Sequence, residues 1–350
     1  MDTQNNSLAA ATTFVQQMPP EAALMQMTMG VFVAQAIYVA AKLGVADHLA
    51  GKPQSIAALA AATGTHERSL YRLLRALASE GVFAEIAPKV FSLTPLAEPL
   101  RRDAPNSLRD AAIFMGEGWH WSVCGDMSYS VQTGKPAWGH VHGMEVFDYF
   151  QQNPEPSEIF NRTMTNLTRQ VVPAIVEAYD FSGFRKLVDI AGGHGILLAG
   201  VLGANPGVQG VLFDLPQVTE GANQILKDGG VAERVEISVG DFFESVPAGA
   251  DAYMMKHIIH DWDDERSFKI FRNIHRAIAA DGKVLLIETV IPAGNEPHLG
   301  KLVDLEMLVS PGGVERTEEE FRELLAQAGF RLTRVVPTKS HLSIVEAVKA

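Results

Sequence analysis

The sequence predicts an α/β fold: a mainly helical, winged-helix-like domain, followed by a parallel sheet that is covered by helices on both faces and ends in an antiparallel hairpin. Two patterns carry this prediction. Up to about residue 106, Ala and Leu recur at helical spacing, whereas from Phe181 onward short Val, Leu and Ile runs alternate with helical patterns. Strands that alternate with helices form a parallel sheet, which binds ligands at the carboxyl ends of its strands.

The N-terminal arm covers residues 1–20 and is expected to fray. It has an acidic start and lacks a basic segment followed by an apolar one, so we do not predict a secretory signal. The next apolar run, "MGVFVAQAIYVAAKLGVA", is interrupted by Gln35 and Lys42 and falls short of the roughly 20 apolar residues that span a bilayer. We expect a buried helix here, with a subunit interface as one location for it.

A winged-helix pattern follows within the domain predicted for residues 21–106. Ser55 is expected to cap a short helix, the turn "TGTHERS" leads into a second helix that runs to Ser79, and Gly81 stops that helix. The segment "VFAEIAPKVFSLT" then predicts a small β-hairpin. Because this motif commonly binds DNA, the residues leave two roles open: DNA binding, and a scaffold or dimerisation role.

Charge and cysteine content restrict the partners. The formal net charge is -12, and the predicted recognition helix offers only Arg68, Arg72 and Arg75 as cations. Nucleic acid is therefore disfavoured, because binding to phosphates needs clustered Lys and Arg. The single cysteine, Cys124, excludes an internal disulfide and any multi-cysteine metal site, and it fits a reducing cytoplasm.

The second half holds the predicted sheet. Residues 107–180 are expected to form a helical linker, in which Phe114 to Met164 is rich in Trp, Met, Phe and Gly and is expected to supply a substrate wall. Residues 181–350 are expected to form the domain that contains the sheet. Strands are expected at "KLVDIA", "VQGVLFDL", "VEISVGDF", "AYMMKHII", "KVLLIETV", "GFRLTRVVPT" and "LSIVEAV". Only "KSH" separates the last two strands, so they must pair antiparallel as a terminal hairpin.

A glycine-rich turn follows the first of these strands in "LVDIAGGHG". Gly192, Gly193 and Gly195 allow positive φ angles and close approach of a ligand to the backbone. The turn is not a dinucleotide fingerprint, because Leu198 stands where close helix–strand packing prefers Gly or Ala. It is not a P-loop either, because no Gly-Lys-Ser/Thr follows.

Three acidic residues are expected at the carboxyl ends of successive strands: Asp189, Asp214 and Asp241. Helix capping is one explanation, since Asp often has that role. The other is nucleoside binding, with Asp214 accepting from a ribose diol and Asp241 near an adenine. An anionic edge without a phosphate clamp favours a cationic, phosphate-free nucleoside over NAD, and S-adenosylmethionine is such a ligand.

The segment "YMMKHIIHDWDDER" joins an apolar run, two histidines and four acidic residues. Asp263 to Glu265 are explained by the start of the next helix, whose positive end favours acids. His260 is expected at the C-terminal end of the fourth strand. Three roles remain open for it: a core histidine, a metal ligand together with His257, or a general base for a phenol, to which an imidazole pKa of about 6.5 is suited.

Taken together, these segments resemble one enzyme family. "LVDIAGGHG", "FDLP", "GDFF", "MKHIIHDWDDE", "ETVIP" and "PGGVERTEEEFRELLAQAGF" look like parts of the S-adenosylmethionine-dependent O-methyltransferases of the caffeic acid and hydroxyindole type, including bacterial members that act on natural products. The resemblance runs from about Met25 to the C-terminus. It implies a Rossmann-like class I methyltransferase domain and a winged-helix-like domain that serves dimerisation rather than DNA binding.

The resemblance also implies site residues. His260 would be the general base, with Glu288 and Glu315 flanking and orienting it. The cofactor-binding residues are expected to be Asp189, Gly192, Gly193, Gly195, Asp214, Leu215, Asp241, Phe242 and Lys256. The residues that contact the acceptor are expected to be Phe114, Trp119, Phe160, Met164, Asp261 and Met307.

Alternatives stay open at several of these positions. Glu288 is also suited to capping a strand end, and Glu315 to pairing with Arg316 on the surface. Methionines at helical spacing, such as Met164 and Met307, are also typical of ordinary core packing.

Three residues depart from the family pattern. Ile190 and Ala191 stand where Val-Gly is usual, which is not expected to disturb the cofactor loop much. His257 stands where plant members often have Trp, which leaves the acceptor open.

The sequence therefore predicts a cytoplasmic, homodimeric enzyme that transfers methyl from S-adenosylmethionine to a hydroxyl of a small aromatic acceptor. No metal, nucleic acid or membrane is expected as a partner. N- or C-methylation, or a family member repurposed for another reaction, is the alternative among enzymes. From another class, the alternative is an S-adenosylmethionine-responsive regulator that binds DNA through the winged helix.

Overall fold

The computed structural model describes residues 18–350 of the chain. Residues 1–17, which make up most of the predicted arm, lie outside the described part. The chain divides into two compact units between Gly118 and Trp119. Each unit is built around its own sheet.

The first unit is mainly helical and carries a three-stranded antiparallel sheet in the order β1-β3-β2. Its strands are β1 Gln54–Ser55, β2 Phe83–Ala87 and β3 Val90–Leu93. Its helices are α1 Pro20–Lys42, α2 Val45–Leu49, α3 Ile56–Thr63, α4 Glu67–Ser79 and α5 Arg109–Gly116, with a 3₁₀ turn at Glu98–Leu100.

The winged-helix-like part has the predicted local structure. Ser55 caps α3, because its side-chain oxygen accepts a hydrogen bond from the N–H of Ala58 at 3.2 Å. The second helix, α4, ends at Ser79, and Gly81 leaves it with a φ of +77°. The hairpin of β2 and β3 then covers the apolar face of α4, where Leu70, Leu74 and Leu77 are buried.

The expectation of a buried helix after the arm was wrong for the chain taken alone. Only Ala40 and Ala41 of α1 are buried, whereas much of the helix exposes large apolar side chains. These are Leu24, Met25, Met27, Met29, Val31 and Phe32, which are 46–71% exposed. By length and mean hydropathy, α1 is long and apolar enough to cross a membrane, contrary to the estimate from the sequence. Core helices of soluble proteins meet the same criteria.

The second unit contains a seven-stranded sheet in the order β6-β5-β4-β7-β8-β10-β9. Its strands are β4 Lys186–Ile190, β5 Gln209–Asp214, β6 Val235–Val239, β7 Ala252–Lys256, β8 Lys283–Glu288, β9 Phe330–Pro337 and β10 Ser343–Lys349. The strands from β4 to β8 pair in parallel, and β10 pairs antiparallel with both β8 and β9. The predicted class, a Rossmann-like sheet with a terminal antiparallel hairpin, is confirmed.

Helices precede the sheet and connect its strands. They are α6 Gly118–Gly125, which begins at the division between the units, α7 Met127–Thr133, α8 Ala137–His142, α9 Val146–Gln152, α10 Pro154–Ala178, α11 Ile196–Ala204, α12 Pro216–Thr219, α13 Ala222–Asp228, α14 Asp264–Ala277, α15 Gly300–Val309 and α16 Glu318–Gln327. Short 3₁₀ turns lie at Ala232–Arg234 and Ile259–Asp261.

The sheet is buried on both faces, as its near-continuous apolar strands require. In β4, Val188 and Ile190 join an apolar cluster on one face, and Leu187 joins a second cluster on the other. All three side chains are fully buried. The sheet thus forms a rigid base for the loops that follow its strands.

The predicted strand ends are correct in part. Asp214 closes β5 and Glu288 closes β8, whereas Asp189 is the penultimate residue of β4. Two expected positions were wrong: Asp241 lies two residues beyond β6, and His260 lies four residues beyond β7, in the 3₁₀ turn. In both cases the chain leaves the sheet before it reaches the polar residue.

Candidate active site

His260 is buried at the carboxyl edge of the sheet and forms its closest side-chain contact with Glu315. The Nδ1 atom lies 2.7 Å from Glu315 Oε1, and the two residues are 7% and 2% exposed. Since an ionised carboxylate only accepts hydrogen bonds, Nδ1 carries a hydrogen and donates it. The second ring nitrogen, Nε2, then holds the free lone pair when the ring is neutral, with Asp261 Oδ1 at 3.5 Å.

The loop that carries Glu315 packs directly against the 3₁₀ turn that contains His260. The N–H of Val314 donates to the carbonyl of His260 at 2.8 Å. A Cβ atom on Gly313 would lie 1.9 Å from the same carbonyl oxygen, so only glycine permits this approach. Asp304 Oδ1 accepts from the N–H of Glu315 at 2.8 Å and holds the loop from the side of α15.

Arg316 is a buried residue that ties the same loop to the turn. Its guanidinium donates to the carbonyls of Ile259 and Trp262, each at 3.1 Å, and to Asp264 Oδ1 at 2.8 Å. The alternative in which Glu315 pairs with Arg316 on the surface was therefore wrong, because both residues are buried and have different partners. Glu315 thus binds the side chain of His260, and Arg316 binds backbone carbonyls on either side of it in the sequence.

Glu288 supports the backbone that leads to His260. Its Oε1 atom accepts from the N–H groups of Ile258 and Ile259, at 3.1 Å and 3.0 Å, where the chain turns away from β7. Burial raises the pKa of Glu288 to about 7, against the lowering effect of His260. Glu288 is therefore more than the strand-end cap that the sequence left open.

The charge on this cluster affects the protonation of His260. Burial alone would lower the pKa of His260, but Asp261, Glu288 and Glu315 outweigh it and raise the value to about 9. Burial also raises the pKa of Asp261 to about 6. His260 is thus surrounded by carboxyl groups that favour the imidazolium, which makes it a stronger base than free histidine.

Lys256 closes β7 and lies among the same charges. Its Nζ atom is 3.2 Å from Nδ1 of His257. Burial lowers its pKa to about 8, while Glu288, Asp189 and Asp261 act in the opposite direction. Its predicted place near the adenine stays a prediction.

The glycine turn follows β4 and is closely packed. A Cβ on Gly192 would lie 2.6 Å from the carboxylate of Asp189 and 2.5 Å from Leu212. Gly193 and Gly195 have φ values of +60° and +79°, and even Ala191 has a φ of +52°. Glycine is therefore required by sterics at one position and by backbone conformation at two others.

The carboxylates beside this turn are held mainly by backbone N–H groups. Asp214 accepts from Gly193 at 2.8 Å and from Leu215 at 2.7 Å, and burial raises its pKa. Asp189 is 1% exposed, and its pKa is raised to about 8, chiefly by burial and then by Asp214. Its Oδ2 atom has no hydrogen-bond partner within residues 18–350.

The third predicted position is more open. Asp241 is exposed, and its Oδ1 accepts from the N–H of Phe243 at 2.7 Å, as in a capped turn. Phe242 packs edge-on against Phe243, with ring centroids 4.7 Å apart, and lies 6.0 Å from Trp262. Capping thus accounts for the contacts of Asp241, and its predicted role at the adenine stays untested.

A chain of aromatic contacts runs from Trp119 on α6 to Trp262, which follows the 3₁₀ turn of His260. Trp119 lies 5.9 Å from Phe150, and Phe150 stacks on Phe160 at 4.8 Å between ring centroids. Phe147 then lies 6.5 Å from Phe160 and 5.4 Å from Trp262. The predicted residues Trp119 and Phe160 therefore belong to one aromatic cluster that reaches Trp262, two residues after His260.

The remaining predicted acceptor contacts lie on three different helices. Met164 is partly buried on α10 and Met307 is 9% exposed on α15, both in the second unit. Phe114 is 8% exposed on α5, in the first unit. The role of these three residues stays a prediction.

Two clusters were missed by the sequence analysis. His120 is fully buried, with Nε2 2.8 Å from Glu306 Oε1 and Nδ1 3.8 Å from the Sγ of Cys124. Ligand atoms of these three residues lie within 4.8 Å of one another, a spacing that would admit a metal ion. Thr165 Oγ1 lies 3.0 Å from Nδ1 of His194 and so links α10 to the glycine turn.

Matches to known families decide the identity of the chain. Residues 124–331 match the O-methyltransferase domain model, and residues 25–103 match the O-methyltransferase dimerisation domain. The chain belongs to the O-methyltransferase family. It is an S-adenosylmethionine-dependent methyltransferase, as the resemblance implied.

Individual relatives support this family membership. Phenazine O-methyltransferase PhzM of Lysobacter antibioticus is 45% identical over 345 residues, with 99% of each chain covered. The 8-amino-8-demethylriboflavin N,N-dimethyltransferase of Streptomyces davaonensis is 36% identical over 327 residues, 92% of this chain and 94% of its own.

Solved structures share the fold. The crystal structure of LaPhzM matches with a TM-score of 0.90 and 46% identity, covering 95% of this chain and 100% of its own. An O-methyltransferase (NcsB1) from neocarzinostatin biosynthesis, in complex with S-adenosylmethionine and 2-hydroxy-5-methyl naphthoic acid, matches with a TM-score of 0.80 and 34% identity, covering 91% and 96%.

The glycine turn of this methyltransferase fits the cofactor of the family. A turn without side chains at Gly192 and Gly193 allows close approach of a nucleoside, and the buried oxygen of Asp189 is available to a donor. Carboxyl groups line this edge, and no Lys or Arg donates to Asp189 or Asp214 in the described contacts. A set of carboxyl groups without a cationic hydrogen-bond donor suits a cationic nucleoside without phosphates.

Proposed function

We propose that this methyltransferase methylates a hydroxyl of a small aromatic acceptor and that His260 is the general base. The observation that carries the proposal is the 2.7 Å contact between His260 Nδ1 and Glu315 Oε1 in a buried site. It has the geometry of an imidazole held in one tautomer by a carboxylate. Such a group is suited to taking a proton from a substrate.

The chemistry of the acceptor explains why a base is useful. A phenol has a pKa of about 10, with Tyr as its model, so it is mostly protonated at neutral pH and a poor nucleophile. His260 would accept the proton at Nε2, because Nδ1 is engaged by Glu315. The charges of Asp261, Glu288 and Glu315 would stabilise the imidazolium that forms.

The cofactor would be held by the residues predicted from the sequence. Gly192, Gly193 and Gly195 would form the turn around it, and Asp214 and Leu215 would contact its ribose. Asp189, Asp241, Phe242 and Lys256 complete the proposed cofactor set. When bound, S-adenosylmethionine supplies a methyl group that its sulfonium charge already activates. The chain's own task is then to orient the acceptor oxygen and exclude water.

An aromatic acceptor is supported by the residues and by the relatives. Trp119 and Phe160 belong to the aromatic cluster that reaches Trp262, and Met164 and Met307 are apolar residues proposed to contact the acceptor with Phe114 and Asp261. The relatives named above are named for a phenazine and for 8-amino-8-demethylriboflavin, and the NcsB1 structure holds a naphthoic acid. All three are flat aromatic compounds.

The direct test is an acceptor screen. The purified protein is incubated with S-adenosylmethionine and a panel of naphthols, hydroxyphenazines and their amino analogues, and products are identified by mass spectrometry. We expect methyl ethers of at least one hydroxyl compound. Methylation of amines only, with every hydroxyl compound untouched, would contradict the proposal.

N-methylation is the second candidate, and one finding favours it. The relative from Streptomyces davaonensis is named as an N,N-dimethyltransferase although it is 36% identical over nearly the whole chain. An arylamine needs its proton removed only after or during transfer, so its methylation depends less on a strong base. Replacement of His260 would therefore reduce N-methylation much less than O-methylation.

We also propose that the protein is a cytoplasmic homodimer that binds neither nucleic acid nor membranes. The match of residues 25–103 to a dimerisation domain and the exposed apolar side chains of α1 support the dimer. Replacement of Phe32, which is 67% exposed, by Glu is expected to shift the mass measured by light scattering toward one chain. Leu299→Glu, at a comparably exposed position (64%) in the second unit, is the matched control.

A further inference from the structure

His257 has an unusual backbone conformation beside the base. It follows the last residue of β7 with a φ of +54°, and its N–H donates to the carbonyl of Ile287 at 3.2 Å. Positive φ is uncommon for a residue with a side chain, although His tolerates it more often than most. Strained positions of this kind persist where the surrounding structure holds them, and they cluster at functional sites.

The imidazole of His257 lies against that of His260. Their ring centroids are 4.7 Å apart, and their planes differ by 19°. A third imidazole, that of His341, lies farther away, at 6.1 Å from His257 and tilted by 35°. The rings of His257 and His260 are therefore stacked. Of these two rings, that of His260 contacts a carboxylate and that of His257 contacts Lys256.

Lys256 determines which nitrogen of His257 carries the hydrogen. The ammonium group donates hydrogen bonds and accepts none, so Nδ1 of His257, at 3.2 Å, must be the acceptor. The hydrogen of the neutral ring is then on Nε2. Burial, together with the charges of Lys256 and His260, lowers the pKa of His257 well below its usual value, so the ring stays neutral.

The Nε2–H group of His257 is left with a hydrogen to donate. This atom is buried and has no hydrogen-bond partner within residues 18–350. Buried donors in proteins are almost always paired, and those that are not call for an explanation. A bound ligand beside His260 would supply the missing acceptor atom.

We propose that Nε2–H of His257 donates a hydrogen bond to a second heteroatom of the acceptor, an oxygen or ring nitrogen next to the hydroxyl that is methylated. The inference rests on the proposed function, since it assumes that this hydroxyl faces His260. Two stacked imidazoles 4.7 Å apart are close enough for each to hold one of two neighbouring heteroatoms. His257 thereby selects acceptors that carry such a pair.

The test compares two ligands that differ in one atom. Binding of 8-hydroxyquinoline and of 1-naphthol to the complex with S-adenosylhomocysteine is measured by calorimetry, for the wild type and for His257→Phe. Both compounds have two fused rings and one hydroxyl, but only the first has a ring nitrogen beside it. We expect the wild type to prefer 8-hydroxyquinoline about tenfold, as one buried hydrogen bond allows, and His257→Phe to lose that preference.

Two further variants make the result specific. His257→Asn tolerates the positive φ and checks that loss of the ring does not unfold the site, which unchanged binding of S-adenosylhomocysteine would establish. His341→Phe removes a neighbouring imidazole and should leave the preference intact. An equal preference in the wild type and His257→Phe, or no binding of either compound to the wild type, would overturn the proposal. Because binding is measured, absence of methyl transfer to hydroxyl compounds would contradict the proposed function separately.

Discussion

The two halves of the sheet edge hold their carboxyl groups in different ways. After β4 and β5, Asp214 is bound by the backbone N–H groups of Gly193 and Leu215. After β7 and β8, Glu288 is also bound by backbone N–H groups, those of Ile258 and Ile259, but Glu315 is bound by a side chain, that of His260. Backbone contacts hold carboxyl groups in both halves, whereas the contact between Glu315 and His260 couples a carboxylate to a group that gains and loses a proton.

The difference appears in the charge balance. On the cofactor half, burial raises the pKa of both acidic groups, that of Asp189 to about 8 and that of Asp214 in the same direction. On the catalytic half, three carboxyl groups raise the pKa of one imidazole to about 9 despite its burial. One half is thus suited to binding and the other to proton transfer, and substitutions should separate the two properties.

The largest effect is expected from His260→Gln. It removes the proposed base but leaves the glycine turn untouched, so the turnover number should fall by about 10²- to 10⁴-fold, the usual contribution of general-base catalysis. Affinity for S-adenosylhomocysteine, measured by calorimetry, should stay within a factor of about three. A variant that keeps full turnover would refute the assignment of the base.

The next effect is expected from Gly313→Ala. The new Cβ would lie 1.9 Å from the carbonyl of His260, so the loop and the base must move apart. We expect a loss of about 1–3 kcal/mol in the free energy of unfolding, measured with urea, together with a clear loss of turnover. Gly183→Ala is the control, because a Cβ there meets no atom of the described residues within 4 Å. An equal effect of both variants would show that the contact is unimportant.

A smaller effect, confined to the cofactor half, is expected from Asp214→Ala. The variant removes a carboxylate proposed to bind the ribose and frees two backbone donors, so affinity for S-adenosylhomocysteine should fall by about 10- to 100-fold. The pH at which turnover is half-maximal should not change. Unchanged affinity would mean that Asp214 only supports the turn at Gly193.

Much of the fold was predictable because its signals are local. The alternation of apolar strands and helices placed all seven strands, and the short "KSH" connection forced the final hairpin. Ser55 and Gly81 marked the ends of helices correctly for the same reason. Periodicity did not show that the apolar side chains of α1 are exposed among residues 18–350, since the apolar pattern of a helix is the same whether it packs against its own chain or another.

Site residues were predictable where each lies in a recognisable local motif. His260, Glu288 and Glu315 came from family motifs, but the 3₁₀ turn that displaces His260 from β7 leaves no periodic signal. The pairing of His120 with Glu306 joins residues 186 positions apart, and no spacing rule predicts such a contact. The burial of Arg316 could not be predicted either, because in the sequence an arginine beside acidic residues looks like a surface ion pair.

The measurement that tests the central claim most directly is the pH dependence of kcat/KM for the wild type and Glu315→Gln, with one acceptor for both proteins so that its own ionisation cancels. A base acts in its neutral form, so the rate should rise with pH through the pKa of His260, about 9 in the wild type. Removal of the charge on Glu315 lowers that pKa, so the rising limb should move to lower pH as the maximal rate falls. Identical profiles for the two proteins would contradict the role of the His260–Glu315 pair in proton transfer.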